Sequence, residues 1–131
     1  MFLNVKDKLD NPALKQILAA SLYKPEAVNE KIEQYRDGAL SLYGWVEHDE
    51  VVGLCGFSVH NDHVEILNIA VAEKERGRGI GRAMTISLRN KINLPIKAET
   101  DDDAVVFYRK SGFETAEFQK QGYRRWVCIL K

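Results

Sequence analysis

Three apolar segments between residues 40 and 71 constrain the fold most strongly. The segments LSLYGWVEH, VVGLCGFSVH and VEILNIAV are rich in β-branched and aromatic residues, which favour strands. Short polar links, Asp49-Glu50 and Asn61-Asp62, separate them, and links of this length join adjacent antiparallel strands. The pattern therefore predicts an antiparallel meander of three strands in the middle of the chain.

Strand and helix patterns flank this meander on both sides. We expect a short strand at residues 2–6, a helix that begins at Asn11-Pro12 and a second helix from Pro25 to about Arg36. After residue 71 we expect a helix, a fifth strand in LPIKAE, a short helix in TDDDAVVFYRKSGF, and strands in FETAEF and GYRRWVCIL. At 131 residues, the chain is predicted to form one mixed α+β domain over residues 1–131.

The charge balance argues against two classes of partner. Lys+Arg and Asp+Glu both count 19, so the formal net charge is +0 and gives no general attraction to nucleic acid or to anionic membranes. The first ten residues, MFLNVKDKLD, carry charges from residue 6 onward and lack an apolar core of signal-peptide length. We therefore expect a cytoplasmic protein that binds neither nucleic acid nor membrane.

Cysteine and histidine residues do not form a metal-binding pattern. Cys55 and Cys128 both lie in apolar, strand-like segments, which favours buried reduced thiols over a disulfide or a metal site. His60 and His63 flank a hairpin link, where histidines are usually surface residues. We therefore expect no metal cofactor.

The segment EKERGRGIGRAM, residues 73–84, has glycines at positions 77, 79 and 81, where the strand pattern changes to a helical one. Glycines lack a Cβ atom, so they pack poorly and lose much conformational entropy on folding. Packing therefore does not explain why three glycines occur here. At the start of a helix, however, it exposes unpaired N–H groups at the positive end of the helix dipole, which bind anions. Residues 73–91 contain six Lys or Arg but only two acidic residues. The segment therefore predicts a pyrophosphate-binding turn.

Two better-known phosphate-binding loops do not fit this segment. The dinucleotide fingerprint requires Gly-x-Gly-x-x-Gly, and no glycine stands three positions after Gly79 or Gly81. The P-loop ends in Gly-Lys-Ser/Thr, whereas Arg82 follows Gly81.

The remaining pattern, Arg76-x-x-Gly79-x-Gly81, resembles the Q/R-x-x-G-x-G/A signature of the GNAT superfamily of N-acetyltransferases. LNIAV resembles the fourth strand of that family, AVVFYRKSGF resembles its following helix, and the order of elements from residue 2 to 131 is similar. The resemblance implies a GNAT-like fold, with a central, mostly antiparallel twisted sheet and helices on both faces. It also implies an enzyme that transfers the acetyl group of acetyl-CoA directly to a primary amine of a small molecule or peptide.

The resemblance assigns catalytic roles by position. Tyr108 is in the position of the general acid that protonates the departing thiolate; the alternative is a core aromatic residue with a locally bonded hydroxyl. Glu65 is in the position of the general base of some members, with Glu99 as runner-up; the alternative for Glu65 is an exposed acid at a strand end. In simple alternation, Glu65 shares a face with Leu67, Ile69 and Val71, and the resemblance implies a strand bulge that would alter this register.

The resemblance also assigns the residues that bind acetyl-CoA. The pantetheine arm would run beside the fourth strand, and the pyrophosphate would lie on the glycine turn. At position 101 this chain has Asp where many members carry Asn, which affects one cofactor contact or simply provides a helix cap. The expected cofactor-binding residues are Ile69, Ala70, Val71, Arg76, Gly77, Arg78, Gly79, Ile80, Gly81, Arg82 and Asp101.

Other functions and the partners stay open at this point. A GNAT-like module that binds acyl-CoA as a sensor without turnover is the main alternative, and an RNA-binding module that uses the arginines of the turn and of YRRW is a weaker one. The expected partners are acetyl-CoA and an amine acceptor. The resemblance implies that the acceptor approaches between the two N-terminal helices, around Tyr23 to Glu26, and the link EFQKQGY. The sequence does not distinguish a monomer from a homodimer, and it does not specify the acceptor or the length of the acyl chain.

Overall fold

The computed structural model of the protein describes residues 1–131, which form a mixed sheet with helices on both faces. The strands are β1 (Phe2–Asn4), β2 (Ser41–Glu47), β3 (Glu50–Val59), β4 (Val64–Val71), β5 (Ile96–Thr100), β6 (Glu114–Lys120) and β7 (Tyr123–Leu130). The α-helices are α1 (Pro12–Ala20), α2 (Val28–Arg36), α3 (Ile80–Ile92) and α4 (Val105–Lys110). None of these helices combines the length and the hydropathy that a membrane span requires.

The sheet has the strand order β1-β2-β3-β4-β5-β7-β6, and only the β4–β5 pair is parallel. The predicted meander is confirmed as β2, β3 and β4, which pair antiparallel in sequence order. The first turn is centred one residue earlier than expected, on His48 and Asp49, which both have positive φ (51° and 63°). Two left-handed central residues match the twist of a tight hairpin, which explains the shift.

Local hydrogen bonds explain where the N-terminal elements begin and end. β1 ends at Asn4, earlier than the predicted residue 6, because the Lys6 N–H donates to Asn4 Oδ1 at 2.8 Å and turns the chain. Asn11 caps α1 as predicted, because its Oδ1 accepts from the Ala13 N–H at 2.8 Å. The expected second helix begins as a 3₁₀ turn over Pro25–Ala27 and continues as α2.

The sheet separates two apolar cores. On the face covered by α3 and α4, Met84 and Leu88 are fully buried against strand residues that include both cysteines. On the face covered by α1 and α2, Leu14 and Leu18 are fully buried against β2 and β3. Cys55 and Cys128 are buried free thiols, as the sequence predicts.

Two irregularities in β4 create an opening in the sheet. β4 and β5 pair only at Val64↔Ile96 and Glu65↔Lys97, so the strands separate after residue 65 and leave a gap in the sheet. The register against β3 slips between Gly56 and Phe57, so Leu67 is the extra residue of a β-bulge. Both features place the middle of β4 at an opening through the sheet.

Candidate active site

A cavity of about 970 Å³ opens where β4 and β5 separate. Its volume lies at the upper end of the range typical of small-molecule and cofactor sites. Ala20 and Ser21 at the end of α1 contribute walls on one side of the sheet, while the start of α3 and residues of α4 contribute walls on the other. All of the residues expected to bind the cofactor line it except Arg78, and Tyr108 lines it too.

The turn before α3 is open, as the sequence predicts. Gly77 and Gly79 have φ angles of 85° and 79°, in the left-handed region that favours glycine. A Cβ on either glycine would meet no atom within 4 Å, and no side chain caps the helix at Gly79. The N–H groups of the first turn of α3 are therefore free to bind an anion in the cavity.

Gly81 has a different structural role, although it belongs to the same motif. A Cβ at this position would lie 2.7 Å from Cε1 of Phe107, which is closer than real Cβ contacts. Glycine therefore allows α3 to pack closely against α4 at this point. The motif thus combines an open turn with a close helix contact, and this contact brings the start of α3 against Phe107, the residue before Tyr108.

The three arginines of the turn lie in different environments. Arg78 forms ion pairs with Glu75 and, at 2.9 Å, with Glu47, and it lies outside the cavity lining. Arg76 lines the cavity and donates from Nε to the carbonyl oxygen of Val71 at 3.1 Å. The Arg82 side chain lines the cavity and has no hydrogen bond or ion pair within the protein, so its charge is available to a ligand; the hydroxyl of Thr85 donates only to the backbone carbonyl of Arg82.

Tyr108 is held rigidly while its hydroxyl stays without a partner. The side chain is 5% exposed, lines the cavity, and packs edge-to-face against Phe107 and Phe113, with ring centroids 5.0 Å and 5.1 Å away. Burial raises the pKa of the Tyr108 phenol, so the hydroxyl keeps its proton over the physiological range. The locally bonded hydroxyl, which was the alternative for this residue, is not found. Tyr108 therefore brings an unused proton donor to the cavity.

Glu65 does not share a face with Ile69 and Val71, and this corrects the simple alternation. The bulge at Leu67 turns Ile69 and Val71 toward α3 and α4, whereas Glu65 remains on the opposite face with Leu67. The Glu65 side chain is 41% exposed, lies 3.7 Å from His60 Nε2 and is not part of the cavity lining. A direct contact between Glu65 and a ligand in the cavity is therefore absent from this geometry.

Glu99, in contrast, is part of the cavity wall. Its neighbour Ala98 packs into the core under α3 and α4, so alternation along β5 places Glu99 on the same face as Glu65. Two cations of the final hairpin hold its carboxylate: Lys120 Nζ at 3.3 Å and Arg125 Nε at 3.2 Å. Glu99 is therefore the carboxylate that meets the cavity on the α1/α2 face.

Asp101 is explained by local structure. Its Oδ1 accepts a hydrogen bond from the Ala104 N–H at 2.8 Å and thereby closes the turn that leads into α4. The residue also lines the cavity. The aspartate therefore stabilises the turn before α4, whereas the N-cap position of the helix itself is Ala104, which makes no side-chain cap bond.

Sequence reasoning missed Asn68 and Tyr35. Asn68 is 9% exposed, lines the cavity beside the bulge, and accepts a 2.6 Å hydrogen bond on Oδ1 from the hydroxyl of Tyr35. The only available signal was a single Asn within the apolar strand VEILNIAV. Tyr35 is 33 positions away on α2, and nothing in the sequence links the two.

Comparisons with known proteins identify the family of the chain. Residues 40–115 match the family model of the acetyltransferase (GNAT) domain. An uncharacterized N-acetyltransferase of Halalkalibacterium halodurans is 33% identical over 63 residues, which are 48% of this chain but only 37% of that relative. The chain thus matches little more than a third of the length of this curated relative.

Solved structures share the fold over nearly the whole chain. A GNAT-family protein from Desulfovibrio desulfuricans has a TM-score of 0.80 at 17% identity and covers 100% of this chain and 98% of its own. A GNAT-family acetyltransferase from Elizabethkingia anophelis, with acetyl-CoA bound, has a TM-score of 0.70 at 20% identity and covers 92% of both chains. These likenesses confirm the GNAT-like fold. Together with the family match over more than half of its residues, they show that the chain belongs to the GNAT family of acetyltransferases.

Proposed function

We propose that residues 1–131 form one cytoplasmic N-acetyltransferase domain, which transfers the acetyl group of acetyl-CoA directly to a primary amine of a small molecule or peptide. One observation carries the proposal. A single cavity joins an open glycine turn at a helix start, the unpartnered hydroxyl of Tyr108 and a gap that reaches the opposite face of the sheet. A phosphate site, a proton donor and an entrance for a second substrate thus meet in one place.

The residues around the cavity fit acetyl-CoA. Gly77 and Gly79 leave room for the pyrophosphate at the start of α3, and Arg82 offers an uncompensated positive charge there. Residues 69–71 of β4 have no strand partner on the β5 side, so their backbone groups can pair with the pantetheine arm as with an added strand. When bound, acetyl-CoA supplies the activated acyl carbonyl.

Tyr108 is proposed as the general acid. Its ring is fixed by Phe107 and Phe113, and its hydroxyl has no competing partner, so it can donate to the thiolate sulfur as that sulfur departs. A phenol is a weak acid beside a thiol. The proton is therefore transferred late, after most of the bond to sulfur has broken.

A carboxylate on the α1/α2 face is proposed as the general base. Glu99 borders the cavity and reaches it directly, whereas Glu65 would act through water. In the balanced reaction the amine nitrogen forms the new bond to the acyl carbon and the carbon–sulfur bond breaks. The carboxylate takes the proton of the amine, and Tyr108 gives its proton to sulfur.

A thiol-release screen tests the proposal. The protein is incubated with acetyl-CoA and a panel of small amines, peptides with free amino termini, and lysine peptides, and mass spectrometry checks each hit for an added acetyl group. We expect equal amounts of free CoA and acetylated amine for at least one class. Binding of acetyl-CoA without turnover of any amine would favour the sensor function. Binding of NAD or ATP in place of acetyl-CoA would contradict the proposal.

A further inference from the structure

A buried polar pair stands next to the opening in the sheet and has no role in the mechanism above. The hydroxyl of Tyr35, on α2, lies 2.6 Å from Oδ1 of Asn68, at the bulge of β4. Tyr35 is 1% exposed, and burial raises the pKa of its phenol. The hydroxyl therefore keeps its proton, and Asn68 is its only side-chain partner.

This hydrogen bond fixes the orientation of the Asn68 amide. The protonated hydroxyl of Tyr35 must donate to an acceptor, and the amide can offer only its oxygen. The amide nitrogen, Nδ2, is left without a partner in the protein, yet it is not among the fully buried unpaired atoms. Since Asn68 is almost buried and lines the cavity, the accessible side of this free donor faces the cavity.

Two further features of the chain allow Tyr35 and Asn68 to meet. A Cβ at position 56 would lie 1.8 Å from the Tyr35 hydroxyl, so only glycine there lets the tyrosine reach across β3. The bulge at Leu67 puts Asn68 opposite Gly56, on the face of α2, instead of on the face of α3. A glycine and a bulge inside a sheet both weaken it, and a buried polar pair adds little net stability. The arrangement is better explained by what the free donor does.

We propose that Asn68 donates a hydrogen bond from Nδ2 to the acyl carbonyl oxygen of acetyl-CoA, and that Tyr35 is a positioning residue that holds the amide in this orientation. The donor would stabilise the negative charge that develops on this oxygen when the amine attacks. A donor cannot hold the attacking nitrogen, because it would occupy the lone pair that forms the new bond. This inference rests on the proposed binding of acetyl-CoA, and it adds a side chain of the α1/α2 face to the site.

The test uses the whole protein and a variant that removes both polar partners, Tyr35→Phe/Asn68→Leu. Replacing both members of a buried pair by apolar groups of similar shape leaves little stability to lose, so the variant should fold. Two readouts report on the carbonyl without any acceptor amine. The first is the infrared stretch of bound acetyl-CoA labelled with ¹³C at the carbonyl, and the second is the ratio of affinities for acetyl-CoA and free CoA, by calorimetry.

In the parent, we expect the bound carbonyl to vibrate at a lower wavenumber than in free acetyl-CoA, because a hydrogen bond weakens the C=O bond. In the double variant the band should move back toward the free value, and the preference for acetyl-CoA over CoA should fall about threefold to tenfold. Tyr35→Phe alone should cause part of the band shift and of the loss of preference. Added to Asn68→Leu, it should cause no further change, because the amide that it positions is already absent. Tyr43→Phe, which alters a tyrosine outside the cavity, is the matched control.

An unchanged carbonyl band and an unchanged affinity ratio in a double variant that still binds acetyl-CoA would overturn this inference alone. A parent protein that binds no acetyl-CoA would overturn the inference together with the proposed function. A shift of the band in the double variant with normal binding of free CoA would support both.

Discussion

The cavity is lined differently on the two faces of the sheet. On the α3/α4 face the site consists largely of backbone, with the open turn at Gly77 and Gly79 and the strand segment 69–71. On the α1/α2 face it consists of side chains, notably Asn68 and Glu99, each held by partners from distant parts of the chain. The first face has a shape that suits a fixed phosphate ligand. The second has specific polar groups that suit the reacting atoms and a variable acceptor.

This difference predicts how substitutions on the two faces act. Changes on the α3/α4 face should affect binding of acetyl-CoA, with the exception of Tyr108, for which we propose the role of proton donor to the departing sulfur. Changes on the α1/α2 face should mainly affect turnover and its pH dependence; among them, only those at Asn68 and Tyr35 should also weaken acetyl-CoA binding, by the roughly threefold to tenfold given above. The following variants test this division, from the largest expected effect to the smallest.

Gly79→Glu should reduce acetyl-CoA affinity by on the order of a hundredfold or more, because it places a carboxylate in the open space where an anion would bind. Calorimetric titration measures the effect. Gly122→Glu is the matched control, since Gly122 also has a positive φ (84°) and open space at its Cβ but lies in the β6–β7 turn. Equal affinity of the two variants would show that the glycine turn is not the anion site.

Tyr108→Phe should lower kcat by on the order of a hundredfold while acetyl-CoA affinity and melting temperature stay nearly unchanged. Stability should hold because the lost hydroxyl has no partner within the protein, so no buried group is stranded. Single-turnover acetylation, calorimetry and thermal unfolding measure the three quantities, with Tyr43→Phe as control. Full turnover by Tyr108→Phe would remove this hydroxyl from the mechanism.

The raised pKa of Tyr108 adds a pH prediction for the parent. An ordinary phenol loses its proton near pH 10.0, and burial moves this ionisation to higher pH. The acid form is therefore retained as pH rises, and kcat should show no descending limb from this residue up to pH 10.0. A descending limb below that pH that disappears in Tyr108→Phe would identify Tyr108 as the acid but contradict the raised pKa of its phenol.

Glu99→Gln should reduce kcat/KM about tenfold or more, and most strongly at the acid end, because the amide cannot take the proton of a charged amine. Acetyl-CoA affinity should not change, because Glu99 lies on the α1/α2 face of the cavity. Glu65→Gln is the comparison, since this carboxylate is on the same face but outside the cavity lining. A larger effect at Glu65 than at Glu99 would assign the base to Glu65 acting through water, and no effect at either would exclude both.

Arg82→Ala should weaken acetyl-CoA binding about twofold to fivefold, with a smaller dependence of affinity on salt, because an exposed charge contributes modestly. Arg78→Ala should change affinity less, because Arg78 is already paired with Glu47 and Glu75 outside the cavity. Titrations at low and high salt measure both. The reverse order of effects would mean that the Arg78 ion pairs open when the ligand binds.

The sequence predicted the α3/α4 face well because its signals are local. A strand, three glycines and a helix follow one another within residues 64–92. Glycines between a strand and a helix indicate a tight turn, and Gly77 and Gly79 indeed have positive φ. The meander, the element order and the cap at Asn11 were predictable for the same reason. Simple alternation failed at Glu65 because one extra residue at Leu67 reverses the faces of all residues that follow it in β4. The family resemblance implied such a bulge, but no residue type in the strand fixed its position.

The α1/α2 face was harder to predict because its contacts are distant in sequence. Tyr35 reaches Asn68 from 33 positions away, and the reason for Gly56 is visible only in the packed structure. Arg78 and Arg82 look equivalent in the motif, and only the structure shows that Glu47 of β2 holds the former. Sequence thus indicated the open turn and the helix start on the α3/α4 face, and it left the side chains on the α1/α2 face largely undetermined.

Hydrogen–deuterium exchange with and without acetyl-CoA tests most directly whether one ligand occupies a cavity that connects both faces. The account predicts slower amide exchange in two separate segments, residues 67–71 of β4 and the turn with the first residues of α3, 77–83, and no change in β1 and β2. Free CoA should protect the turn equally and residues 67–69 less, because it lacks the acyl group. Protection confined to the β6–β7 hairpin, or protection of the turn without any in β4, would contradict the account.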